Sequence, residues 1–108
     1  MNRWGIPKRL EAEVKARDQR CVYCRIPLRT PELQLGATGT WEHIINDAKI
    51  VTRENIARCC ASCNASKGAR PLREWLNSHY CKSKGITPDT VAEVVNLALQ
   101  KSDLDPTK

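Results

Sequence analysis

The 108-residue sequence has no phenylalanine, one methionine, three tryptophans and two tyrosines. Without phenylalanine, a core must pack on Leu, Ile, Val and Ala. A chain of this size buries only roughly 65% of its extended surface. It has room for one domain, spanning 1–108, and little for a second. A structural metal would offset so thin a core. Near pH 7, zinc sites in small finger peptides are worth an apparent ~10–16 kcal/mol, as much as a typical domain's whole stability. Two further things are missing: an apolar run of transmembrane length, and, in the opening MNRWGIPKRLEAEVKARD, the apolar h-region of a secretory signal. The expectation is a soluble, cytoplasmic chain with no membrane partner. Repeats and low-complexity segments are also absent.

What the chain does have is six cysteines and a net charge of +6. In a reducing compartment, Cys-x-x-Cys pairs bind metal more often than they form disulfides. The positive charge is unevenly spread. Residues 1–25 hold seven Lys/Arg against three acids, residues 51–75 hold five against two, and the last third is neutral. Basic flanks suit a polyanionic partner, because Lys/Arg–phosphate contacts release condensed counterions. A surface tuned for solubility is the plainer alternative.

Helical spacing of Leu10 and Val14 after Pro7 predicts a helix over 7–18, with its apolar stripe on the cysteine pair that follows. Its other face carries Lys8, Arg9, Lys15 and Arg17. Residues 25–40 read as a loop with a short strand at Leu33–Leu35. Thr40–Ile45 is β-compatible, 46–49 is a turn, Ile50–Thr52 can continue as extended chain, and a second short strand precedes Cys59. From Ala61 the composition turns helical, with Gly68 as a stop. Pro71 opens another helix, on which Leu72, Trp75, Leu76 and Tyr80 share a face. His79 falls between them as a structural residue. Thr87-Pro88-Asp89 is a helix opening of the N-cap, Pro-N1, acidic-first-turn kind, leading into Val91, Val94, Val95, Ala98 and Leu99. The expected fold is α+β: a strand–loop–strand–helix core over 21–68, one helix before it, and a C-terminal extension of two helices over 70–102.

Cys21–Cys24 and Cys60–Cys63 are two Cys-x-x-Cys pairs separated by a 35-residue insert. Together they make the four-thiolate set of a closed tetrahedral zinc site. Four reduced buried thiols, or disulfides formed on oxidation, are the alternative. Cys59 competes with Cys60, but its spacing to Cys63 is wider, so Cys60 is preferred. Cys81 has no partner at ligand spacing and reads as a helix residue.

Between the two pairs lies more polar chemistry than a core segment needs. Phosphodiester hydrolysis requires a base to activate water and a divalent cation to stabilise charge on the phosphate and leaving oxygen. A neutral imidazole suits the first role near pH 7. A hard cation needs only one or two protein oxygens plus substrate and water. His43 can serve the first role, and Glu42 with Asn64 the second. On a strand Glu42 and His43 point to opposite faces.

At these residues the chain resembles the HNH endonucleases, whose fold is the ββα-metal, or His-Me, finger. The matching pieces are Cys21–Cys24, Glu42-His43-Ile44, Glu54-Asn55-Ile56 and Cys60-x-x-Cys63-Asn64-x-x-Lys67-Gly68. The resemblance implies His43 as general base, Asn55 as the side chain that braces the loop and orients His43, and Glu42 and Asn64 as ligands of a catalytic ion. It also implies hydrolysis of DNA to 5′-phosphate and 3′-hydroxyl ends, with one divalent ion per site. Three positions depart from the common pattern: Glu42 stands for Asp, Asn64 for His, and Gly68 where some members carry a further ligand His. The resulting all-oxygen set favours Mg²⁺ or Mn²⁺ beside the structural Zn²⁺.

Each residue also has a plain structural reading: His43 as a surface residue, Asn55 as a turn residue, Asn64 on a helix surface. Lys67, Arg58 and Arg70 are candidates for DNA phosphate contacts. The competing functions are a zinc-stabilised nucleic-acid-binding module without catalysis and a protein-binding zinc ribbon. The former has no need of Glu42, His43, Asn55 and Asn64 together, and the latter does not explain the basic flanks. One small domain presents one site, so cutting both strands requires a homodimer, a second visit or a larger DNA-processing complex.

Overall fold

Two five-residue segments pair antiparallel in the computed structural model, which describes residues 4–28 and 39–104. Strand β1 (Gly39–His43) runs against β2 (Ile56–Cys60), with Thr40 opposite Cys59, Glu42 opposite Ala57 and His43 opposite Ile56. Because side chains alternate across the pleat, this register gives the hairpin two distinct faces. Thr40, Glu42, Ala57 and Cys59 share one; Trp41, His43, Ile56 and Arg58 share the other.

Each face is covered by a helix. Helix α1 (Lys8–Arg17) packs on the second face, where Ile6, Val14 and Ile56 are buried together with Leu10, Trp41 and Val51 around them. The apolar stripe of α1 thus lies on the outer side of the sheet, not on the cysteine pair that follows it. Its C-terminus is fixed by polar contacts. Arg17 grips Asp18 with two 2.7 Å bonds and donates to the Ile56 carbonyl, while Asp18 accepts from the Arg58 amide.

Helix α2 (Ala61–Lys67) covers the first face. It follows β2 without a linker: Cys60 ends the strand and caps the helix, its Sγ accepting from the Cys63 amide. Gly68, at φ 51°, ends α2 in the left-handed region that glycine tolerates without a Cβ clash.

The expected single helix after Pro71 is two. Helix α3 (Leu72–Leu76) stops at Asn77, and α4 (His79–Lys84) restarts at Ser78, whose hydroxyl accepts from the Cys81 amide. A serine that can cap a new helix competes with continuing the old one. His79 is exposed at the first position of α4. The expected helix from Thr87 begins later. Thr87–Thr90 forms a turn held by its own hydroxyls, and α5 runs over Glu93–Leu104. The Ala92 amide donates instead to the Val22 carbonyl at 2.8 Å, tying this segment to the first cysteine pair. The C-terminal extension therefore holds three helices in place of two. The described residues form a small α+β fold with a two-stranded sheet and five helices. The expected strand at Leu33–Leu35 lies outside them.

Trp75 fills the core that phenylalanine would otherwise supply. It is fully buried, meets Tyr23 edge-on at 4.8 Å, stacks on Tyr80 at 5.9 Å, and donates from Nε1 to Ser66 Oγ. Replacing a buried tryptophan by alanine costs about 3–5 kcal/mol. Trp75→Ala is expected to lower stability by that amount in denaturant unfolding of the zinc-loaded protein.

Candidate functional site

The two cysteine pairs meet. The Sγ atoms of Cys21, Cys24, Cys60 and Cys63 all lie within 4.8 Å of one another, and those of Cys24 and Cys60 are 3.8 Å apart. A tetrahedral ion with bonds of about 2.3 Å sets its sulfurs about 3.8 Å apart, so the cluster has the dimensions of a four-cysteine zinc site. Backbone amides turn into it: Tyr23 and Cys24 donate to Cys21 Sγ, and Cys63 to Cys60 Sγ. Tyr80 adds a hydroxyl donor to Cys63 Sγ at 3.3 Å. Hydrogen bonds from the Cys60 and Cys63 thiols pull Cys21 far below the ordinary thiol range, while contact with Cys21 and Cys60 pushes Cys63 upward. A zinc ion bound here would hold all four as thiolates and release their protons on binding. Arg25, just past Cys24, takes φ 68° to turn the chain back, with its amide on the Cys21 carbonyl.

Cys59 and Cys81 stay outside the cluster. Cys59 lies on the α2 face beside Thr40 Oγ1, and burial pushes its thiol well above the ordinary range. Cys81 is buried on α4.

Residues 44–55 connect the strands and are braced by side-chain hydrogen bonds of Asn55. Asn55 is buried, and its carboxamide makes three bonds: Oδ1 accepts from the Ile45 amide at 2.7 Å, and Nδ2 donates to the Ile45 and Ile50 carbonyls at 3.1 Å. Its carbonyl accepts from the Ile44 amide. One side chain therefore fixes the backbone immediately after His43. His43 ends β1 half-buried, and its Nε2, shielded from solvent, has no hydrogen-bond partner among the described residues.

Glu42 and His43 fall on opposite faces, as the pleat requires. Glu42 is 6% exposed and faces α2. Its Oε2 accepts from the Tyr23 hydroxyl at 2.6 Å and pairs with Lys67 Nζ at 3.0 Å. Burial, then the Glu42 charge, pushes the Tyr23 phenol well above its usual range, so it remains a donor. Asn64, also facing the hairpin, donates from Nδ2 to Thr40 Oγ1 at 2.8 Å and to the Trp41 carbonyl. Both contacts to Glu42 fall on Oε2 and both from Asn64 use its nitrogen. Among the described residues Glu42 Oε1 and Asn64 Oδ1 stay uncommitted. These oxygens, on neighbouring elements, have the chemistry of a hard-cation site.

The basic residues divide. Lys67, expected at phosphates, is instead 1% exposed and committed to Glu42, with the His43 carbonyl 3.5 Å away. Arg58 lies over the Trp41 ring at 4.7 Å, with Lys15 at 5.8 Å, filling the space left beside Gly39. Arg70 is exposed just past α2. Sequence reasoning missed Tyr23 and Lys67 as partners of the buried carboxylate. Lys67 lies three residues after Asn64, so both belong to one helix face; that spacing was the available signal.

Set against models of protein families, curated proteins and solved structures, the chain matches none.

Two measurements check this geometry. Thiol-reduced protein is expected to contain about one zinc per chain by elemental analysis, and Cys63→Ser to lose both the metal and cooperative unfolding; well under one equivalent in the parent protein contradicts the assignment. Asn55→Ala strands buried amide and carbonyl groups, each costing about 1–3 kcal/mol. Thermal unfolding should show a loss of about 2–4 kcal/mol, with zinc content unchanged.

Proposed function

We propose that this protein is a divalent-cation-dependent DNA endonuclease of the HNH kind, with a ββα-metal finger closed by a structural zinc. The observation that carries the proposal is the combination at the end of β1. Asn55 locks the backbone after His43 with three side-chain hydrogen bonds, while the imidazole Nε2 has no partner among the described residues. A buried imidazole nitrogen left without a bond costs stability in packing alone, and suits a base that gains its partner when substrate and water arrive.

In this reading His43 Nε2 takes the proton from the water that attacks phosphorus. Asn55 holds the imidazole in place through the backbone of residues 44 and 45. A cation such as Mg²⁺ or Mn²⁺, held by Glu42 and Asn64, would stabilise charge on the scissile phosphate and the leaving 3′-oxygen. Bond cleavage leaves a 5′-phosphate and a 3′-hydroxyl. The zinc cluster ties the knuckle to the β2–α2 junction and so keeps Asn64 facing Glu42. The net charge of +6, with exposed Arg70, Lys8 and Arg9, supplies attraction to the DNA backbone.

One observation favours a second reading, a zinc-stabilised nucleic-acid-binding module without catalysis. The Glu42 carboxylate is already neutralised by Lys67 and hydrogen-bonded by Tyr23, which satisfies a buried charge with no metal. A supercoiled-plasmid nicking assay separates the two. The nuclease reading predicts nicking that rises with Mg²⁺ or Mn²⁺, is abolished by EDTA, and falls by at least about 10²–10⁴-fold in His43→Ala with zinc content and unfolding unchanged. DNA binding without nicking at any divalent concentration supports the module. Equal cutting by His43→Ala removes His43 as the base.

A further inference from the structure

Lys67 is the least expected residue of the site. A lysine that is 1% exposed and paired with a carboxylate that is 7% exposed has given up hydration on both sides. Such a pair is stabilised by mutual charge at close range, here 3.0 Å, and by the Tyr23 hydroxyl on the same oxygen. The ammonium thus occupies one oxygen of the carboxylate that would ligate a cation. It also lies against the His43 carbonyl at 3.5 Å, at the end of the strand that carries the candidate base.

We propose that Lys67 is a built-in counter-cation that competes with the divalent ion for Glu42. The site is held closed and neutral without metal, and opens for the ion only as the ammonium moves off Oε2. This deepens the nuclease reading and rests on its cation site. Two positive charges on one buried carboxylate repel strongly even at different oxygens, so an ion on Oε1 drives the ammonium off Oε2. Asn64 Oδ1 and Glu42 Oε1 are uncommitted among the described residues and remain available to the incoming ion. Tyr23 holds the carboxylate in place during the exchange. Since Tyr23 lies between Cys21 and Cys24, the cysteine cluster fixes the position of the carboxylate on which both cations depend. The arrangement makes the protein demand a higher metal concentration than its ligand set alone would.

Mn²⁺ binding to zinc-loaded protein, measured by calorimetry without DNA, tests this. Lys67→Met keeps the length of the side chain and removes its charge. The expected result is Mn²⁺ affinity at least about tenfold tighter than wild type, lost again in Glu42→Gln/Lys67→Met. Affinity unchanged or weaker in Lys67→Met, or no Mn²⁺ binding by either protein, overturns the proposal. Should Lys67→Met fail to fold, the wild type decides: the Lys67 side-chain ammonium resonance, protected from water in the ion pair, should disappear as Mg²⁺ is titrated in, and its persistence at saturating Mg²⁺ overturns the exchange. The outcome also separates the two claims. Tighter Mn²⁺ binding with no nicking upholds the counter-cation and removes the nuclease; nicking with unchanged affinity does the reverse.

Discussion

Four sulfurs within 4.8 Å of one another bring together parts of the chain that are far apart in sequence. The knuckle at Cys21–Cys24 has few other ways to stay on the β2–α2 junction. Its polar links are the Val22 amide on the Arg58 carbonyl and the Ala92 amide on the Val22 carbonyl. With the cluster closed, Tyr23 is buried against Trp75 and points its hydroxyl at Glu42. With it open, the knuckle would be left to a core of 16 buried residues with a single tryptophan and to these few polar bonds. The cluster thus sits beside the residue that anchors the Glu42 carboxylate.

The hairpin divides two tasks between its faces. One face, with Trp41, Ile56 and Arg58, is closed by α1 and secured by the Arg17–Asp18 pair. The other carries Glu42 and Thr40 toward α2, where Asn64 and Lys67 meet them. His43 stands at the strand end, where the Asn55-braced loop begins. The proposed chemistry needs both the rigid loop and a carboxylate whose charge is balanced until a cation arrives. The ion pair with Lys67 supplies that balance and places a positive charge on the carboxylate a cation would share.

Much of this was legible in the sequence because the signals were local. The two Cys-x-x-Cys spacings, the Ala61 start and Gly68 stop of α2, and the placement of Asn55 before β2 depend on neighbours within a few residues. The split between α3 and α4 was not legible: Leu72, Trp75, Leu76 and Tyr80 keep helical spacing across Asn77–Ser78, and apolar periodicity cannot see a serine that caps a new helix. The late start of α5 follows from a long-range bond, Ala92 to Val22, that no helix-opening motif encodes. The same holds at the site. Glu42, His43, Asn55 and Asn64 stood out by residue type, whereas the roles of Tyr23 and Lys67 come from packing between elements distant in sequence. A basic residue after a Cys-x-x-Cys pair reads as surface charge until the fold turns it inward.

The ends of a cut strand report the bond chemistry directly. Zinc-loaded protein should convert supercoiled plasmid to an open circle in Mg²⁺ or Mn²⁺, and DNA ligase should then reseal that circle, since hydrolysis at the 3′-oxygen leaves a 5′-phosphate and a 3′-hydroxyl. Nicks that ligase cannot seal, or a plasmid left supercoiled across the whole range of divalent concentration, would contradict the account.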